Sequence, residues 1–184
     1  MKRFVFAGCL AIVLLPAAAY ADAIDDNTLC YDALNSGHDK NAVDYCTKAI
    51  SSGQLAKEDL VAALINRGVA FRNLGNSKLA VADYTEALKN APKDAMIYAN
   101  RSNALRDIGD FERALEDGKK AVELDPHRGA SFFVRGAAYD ALNRLDSARK
   151  DYMQALTLEP SNRDYQDRIL AIDTRLARQR NTPR

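Results

Sequence analysis

The sequence predicts an all-α solenoid: stacked helical hairpins closed by a C-terminal end helix. Three observations carry this reading. Pro92, Pro126 and Pro160 stand 34 residues apart. Small residues keep the same spacing, as Ala80, Ala114 and Ala148, then Ala87, Ala121 and Ala155. Large residues follow too, as Leu64, Tyr98 and Phe132, then Phe71, Leu105 and Tyr139. Abundant alanine, scarce glycine and no tryptophan suit helices throughout.

The chain starts with a segment that reads as a targeting signal, residues 1–21. Lys2 and Arg3 form a basic start, residues 4–15 an apolar stretch too short to span a bilayer, and Pro16 ends it. Ala19 and Ala21 are the small residues that a signal peptidase needs, so a mature chain beginning at Asp22 is expected in the bacterial periplasm. The rival reading is a lipoprotein signal at "FAGC". Phe6 where leucine is usual, and the early place of Cys9, argue against it. No membrane span is expected after cleavage.

The repeats run over residues 61–94, 95–128 and 129–162, and each should hold two helices of about 14 residues. This period, with small and large residues in register, resembles the tetratricopeptide repeat, a 34-residue helix–turn–helix unit. The resemblance implies a right-handed solenoid. Small residues at positions eight, twenty and twenty-seven of a unit let its helices approach. Large ones at four, eleven and twenty-four fill the space between units. Gly75, Gly109 and Asn143 should close the first helices, because they tolerate a left-handed backbone, and the prolines should stop the second. No unit buries its apolar face alone, so units must stack.

A degraded unit lies upstream, over residues 22–60. With Ala49 at position twenty-seven it starts at Ala23, Gly37 falls on the turn, and residues 51–59 form a longer loop with a four-residue insertion. Cys30 and Cys46 then hold positions eight and twenty-four of paired helices. They are an even pair in an oxidising compartment, so a disulfide is expected, with two buried thiols as the alternative. After Pro160, a helix from Arg163 to about Arg178 carries a stripe of Tyr165, Ile169, Ile172 and Leu176 that should cover the last unit. The basic tail to residue 184 should fray.

Position seven is usually leucine in this family, but here it is Arg67, Arg101 and Arg135. In the same units position twenty-three is Asp83, Asp117 and Asp151, whereas the first unit has Leu29 and Tyr45. Arginine goes with aspartate, which predicts a ladder of structural ion pairs, each Arg meeting the Asp of its own or of the preceding unit. The alternative is a row of arginines gripping a carboxylate or phosphate. Gly118 stands where an aromatic is expected, inside a helix, at about 1 kcal/mol relative to alanine. It marks either a close contact or a weak spot.

No catalytic set is present: no CxxC, HExxH, GxSxG or glycine-rich phosphate loop, and His38 and His127 read as loop residues. Neither enzyme activity nor a cofactor or metal is expected. Charged residues make up 28% with a net charge of +1, which argues against nucleic acid as the partner. What remains is a surface.

In the family the first helices line a concave groove. Here it would be floored by Ile65, Val69, Met96, Phe133 and Ala137, with Asn100 and Asn103 beside them and Arg72, Arg106 and Asp140 at the rim. Such a groove suits a peptide or helix with apolar anchors, from an envelope protein. Chaperone-binding members hold a terminal carboxylate through Lys, Asn and Arg at set positions. Those positions are Ile65, Val69, Asn100, Ala130 and Val134 here, and Asn100 alone matches, so that clamp is not expected. The other reading is a self-associating structural protein whose groove is filled by its own chain or a second copy.

Overall fold

The computed structural model describes residues 17–181, with side chains from 21 to 180. These residues form nine helices in chain order: α1 (Ala17–Asn35), α2 (Asp39–Ser51), α3 (Lys57–Asn73), α4 (Ser77–Asn90), α5 (Ala95–Asp107), α6 (Phe111–Leu124), α7 (Gly129–Ala141), α8 (Leu145–Leu158) and α9 (Arg163–Asn181). Helices α1 to α8 pair as four hairpins, and α9 closes the stack against α8. The first helices α1, α3, α5 and α7 form one layer, each packed beside the next. The expected leader, residues 1–21, lies mostly outside the described residues. Ala17 to Ala21 continue α1.

The turns repeat one geometry. Gly37, Gly75, Gly109 and Asn143 all have positive φ, between 55° and 82°. At the second hairpin the Gly75 amide donates to the Arg72 carbonyl (2.9 Å) and the Asn76 amide to the Phe71 carbonyl (2.8 Å). The pair of bonds satisfies two carbonyls at the helix end and turns the chain back. The other three hairpins make the same two bonds.

The loop expected over residues 51–59 is shorter. Helix α3 starts at Lys57 and runs for 17 residues, against 13 in α5 and α7. The four inserted residues thus add one helical turn, and Glu58 and Asp59 suit its N-terminal end.

The four units fill positions eight and twenty-four in three ways. The first joins Cys30 to Cys46 as a disulfide, both fully buried, with Cα atoms 5.1 Å apart. In the second and fourth, the rings of Tyr84 and Tyr152 lie on Gly68 and Gly136. In the third, the Ser102 hydroxyl donates to the Ala114 carbonyl (2.8 Å), and Gly118 takes the place of the ring. A Cβ added at Gly118 would lie 2.9 Å from Cα of Arg135. The backbone of α7 comes that close to α6, so Gly118 is a close contact between units.

Candidate functional site

The position-seven arginines each grip the aspartate of their own unit. Arg67 donates from Nε and Nη2 to Asp83 (2.8 and 2.7 Å), Arg101 to Asp117 (2.7 and 2.8 Å), and Arg135 to Asp151 (2.7 Å for both). The remaining Nη1 of Arg67 and of Arg101 donates to Thr47 and to Thr85 of the preceding unit, each at 3.1 Å. Arg135 has no such bond, because Lys119 holds the corresponding place. Each guanidinium also lies over an aromatic ring: Phe71, Tyr98 or Phe132. The bond to its aspartate is the main cause that raises the pKa of Arg101 and of Arg135. With Nε and Nη2 of all three arginines held by aspartates, the bidentate edge that would grip an external carboxylate or phosphate is already occupied.

The groove residues divide into three groups. Ile65 and Val69 on α3 are half-buried and pack on the core of the second unit, around Leu64, Tyr84 and Ile97. Asn100 and Asn103 on α5 are also half-buried and make no side-chain hydrogen bond among the described residues. Met96 is exposed and sits apart from them, in a cavity of about 580 Å³ between the α4–α5 and α6–α7 loops, with Pro92, Leu124 and Arg128.

The third group is not open. Phe133 stacks on Tyr165 of α9 (centroids 4.9 Å apart), and Ala137 is buried in a cluster with Tyr152 and Ile172. Arg175 of α9 donates to Asp140 and to Asn143. The stripe of the end helix therefore covers the groove side of α7 as well as α8. Phe133, Ala137 and Asp140, expected as an anchor, floor and rim, are contacts of α9. The reason is an unpaired apolar face: the last unit has no successor, so α9 takes the place of the next first helix.

At the rim Arg72 is paired, its Nε donating to Asp107 at 2.6 Å, and Asn73 donates to Asp39 at 2.9 Å. Arg106 has no such partner. It lines a cavity of about 420 Å³ with Asp140, Tyr152, Arg168 and Arg175 over Ala137. Burial lowers the pKa of the Arg106 guanidinium. Burial also pushes the Tyr152 phenol up to about 12, with a further contribution from Asp140. Sequence reasoning missed Arg168, Arg175 and Tyr152. One signal was present: Asp140 and Arg175 are 35 residues apart, as are Arg72 and Asp107. Among the described residues no group of three His, Cys, Asp or Glu could hold a metal ion.

The profile of the tetratricopeptide repeat matches residues 65–129 and 99–165, over half of the chain together. No curated protein matches significantly. Among solved structures the chain is similar to the first TPR of Spaghetti (RPAP3) bound to the HSP90 peptide SRMEEVD. That match has 28% identity and a TM-score of 0.62, covering 67% of this chain and 97% of that one. It is similar also to the second TPR domain of human RPAP3 in complex with the HSP70 peptide SGPTIEEVD, at 28% identity and a TM-score of 0.60, covering 64% and 98%. MamA 41-end from Desulfovibrio magneticus RS-1 has a TM-score of 0.72 at 22% identity, covering 85% and 86%, and shares the fold. The repeated turn and the packing of positions eight and twenty-four agree with these matches: the chain belongs to the tetratricopeptide repeat family.

Proposed function

We propose that this chain is a non-catalytic protein-interaction module of the bacterial periplasm that holds a peptide or helix in its concave groove. The observation that carries the reading is the floor between α3 and α5. Ile65 and Val69 on α3 offer half-buried apolar contacts, and Asn100 and Asn103 on the neighbouring α5 are half-buried with no side-chain hydrogen bond among the described residues. An asparagine amide both donates and accepts, as a peptide backbone does, so this floor suits extended chain with apolar side chains. The peptide-bound RPAP3 domains support the same use of the fold. The leader-like residues 1–21 and the buried disulfide support an oxidising compartment.

The test is affinity capture from envelope extract, with the native chain and an Asn103→Trp variant as baits. The indole would fill the floor without touching the ladder. A partner identified by mass spectrometry, retained by the first bait and lost by the second, is the expected result. A partner retained equally by both places binding outside the groove, and capture of the chain itself alone favours self-association.

A further inference from the structure

We propose that the cavity at the α9 end of the groove is an oxyanion site, in which Arg106, Arg168 and the Tyr152 hydroxyl hold a carboxylate or phosphate group. Three guanidinium groups from two helices line it with one carboxylate, that of Asp140, and Asp107, whose charge also acts on Arg106, is held by Arg72. Asp140 and Asn143 engage Arg175. Arg106 and Arg168 have no ion pair or hydrogen bond among the described residues, unlike Arg72, Arg149 and the three arginines of the ladder. Unneutralised positive charge in a concave site with low-dielectric walls attracts an anion.

The hydroxyl is an independent sign. Tyr152 is fully buried, and its oxygen has no hydrogen-bond partner among the described residues. Such a group costs free energy unless something accepts from it. Tyr152 itself lines the cavity, beside Arg106, Asp140, Arg168 and Arg175. An oxyanion there would accept from the phenol and from two guanidinium forks, the donors that suit its geometry. The site differs from the carboxylate clamp of chaperone-binding relatives. It uses the C-terminal end of α5 and the end helix, not positions 65, 69, 100, 130 and 134.

That a bound peptide carries the oxyanion rests on the groove reading. The affinity of the cavity for the oxyanion does not. The test follows the backbone amide resonances of Ala137 and Ala141, which line the cavity, by NMR of the full chain at low salt. Two probes are titrated separately: sodium phosphate, and a capped, amidated Gly-Glu-Glu-Gly peptide, with its glutamine analogue as control. The expected result is saturable binding of at least one anionic probe, weakened by salt and about tenfold weaker in Arg106→Gln and in Arg168→Gln. Arg168 is exposed, so that variant tests the site without disturbing the fold. Binding of the glutamate peptide above phosphate assigns the site to a peptide side chain. Phosphate binding alone keeps the site and assigns it to a free oxyanion. No saturation with either probe, or affinities unchanged in both variants, would overturn the proposal, whatever the groove captures.

Discussion

Arg101→Leu, with Asp117 left in place, is expected to lower the stability of the array by about 3–5 kcal/mol. The pair lies inside the stack, with side-chain exposures of 17% for Arg101 and 8% for Asp117. Removing the guanidinium strands a nearly buried carboxylate, and that penalty exceeds the net worth of the intact pair. It also cuts the bond from Arg101 Nη1 to Thr85 of the preceding unit. In a repeat array stability is roughly a sum over units and their interfaces, so a weakened third unit should split the urea transition. The matched double change, Arg101→Leu with Asp117→Tyr, copies the Leu29 and Tyr45 combination of the first unit. It should recover at least half of the loss, because no charge is left unpaired. Urea unfolding followed by circular dichroism measures both. Losses that add without coupling would show that the ladder is not a set of pairs.

Reducing the disulfide is expected to melt the first hairpin while the later repeats stay folded. Among the described residues the buried core of α1 and α2 is Ala23, Cys30, Ala42, Cys46 and Ala49, with no large side chain among them. Their apolar area is small, and among the described residues no repeat packs on the N-terminal side of this hairpin. A bridge of sequence separation 16 contributes about 3 kcal/mol in the chain-entropy model. For so small a core that is a large share of the local stability. Hydrogen exchange with and without reductant reads the effect. The amides of α1 and α2 should lose most of their protection, and those of α5 to α8 should keep theirs. Unchanged protection in α1 after full reduction would show that the staple is dispensable, and Cys46→Ser should give the same result as the reductant.

The sequence carried the repeat itself and much of its chemistry. The period, the left-handed turn residues, the facing of positions eight and twenty-four, and the apolar stripe of α9 all follow from spacing, because a helix face is a matter of periodicity. Spacing does not say which neighbour a face meets. It left open whether Arg101 pairs within its unit, and it gave no hint of the link to Thr85. It placed Phe133 on the groove, but only packing shows that Tyr165 of α9 already covers that ring. The inserted residues before the second unit looked like loop because they break the register. They became a turn of α3 because nothing in Lys57, Glu58, Asp59 or Leu60 opposes helix. Spacing left Gly118 as either a close contact or a weak spot for a related reason: the group that requires a glycine there is backbone of Arg135, 17 residues further on. Arg168 and Arg175 are not part of the apolar stripe of the end helix, so spacing assigns them no neighbour. Their meeting with Arg106 depends on where α9 docks.

The most direct test of the account is site-specific photo-crosslinking in cells, with a benzophenone side chain placed at Val69, at Asn103 or at Glu116. Val69 and Asn103 are half-buried residues of the proposed groove floor, and Glu116 is exposed on α6. The account predicts that one partner protein crosslinks from Val69 and from Asn103 and not from Glu116. A partner trapped from Glu116 alone would contradict it and move the interaction to the outer face.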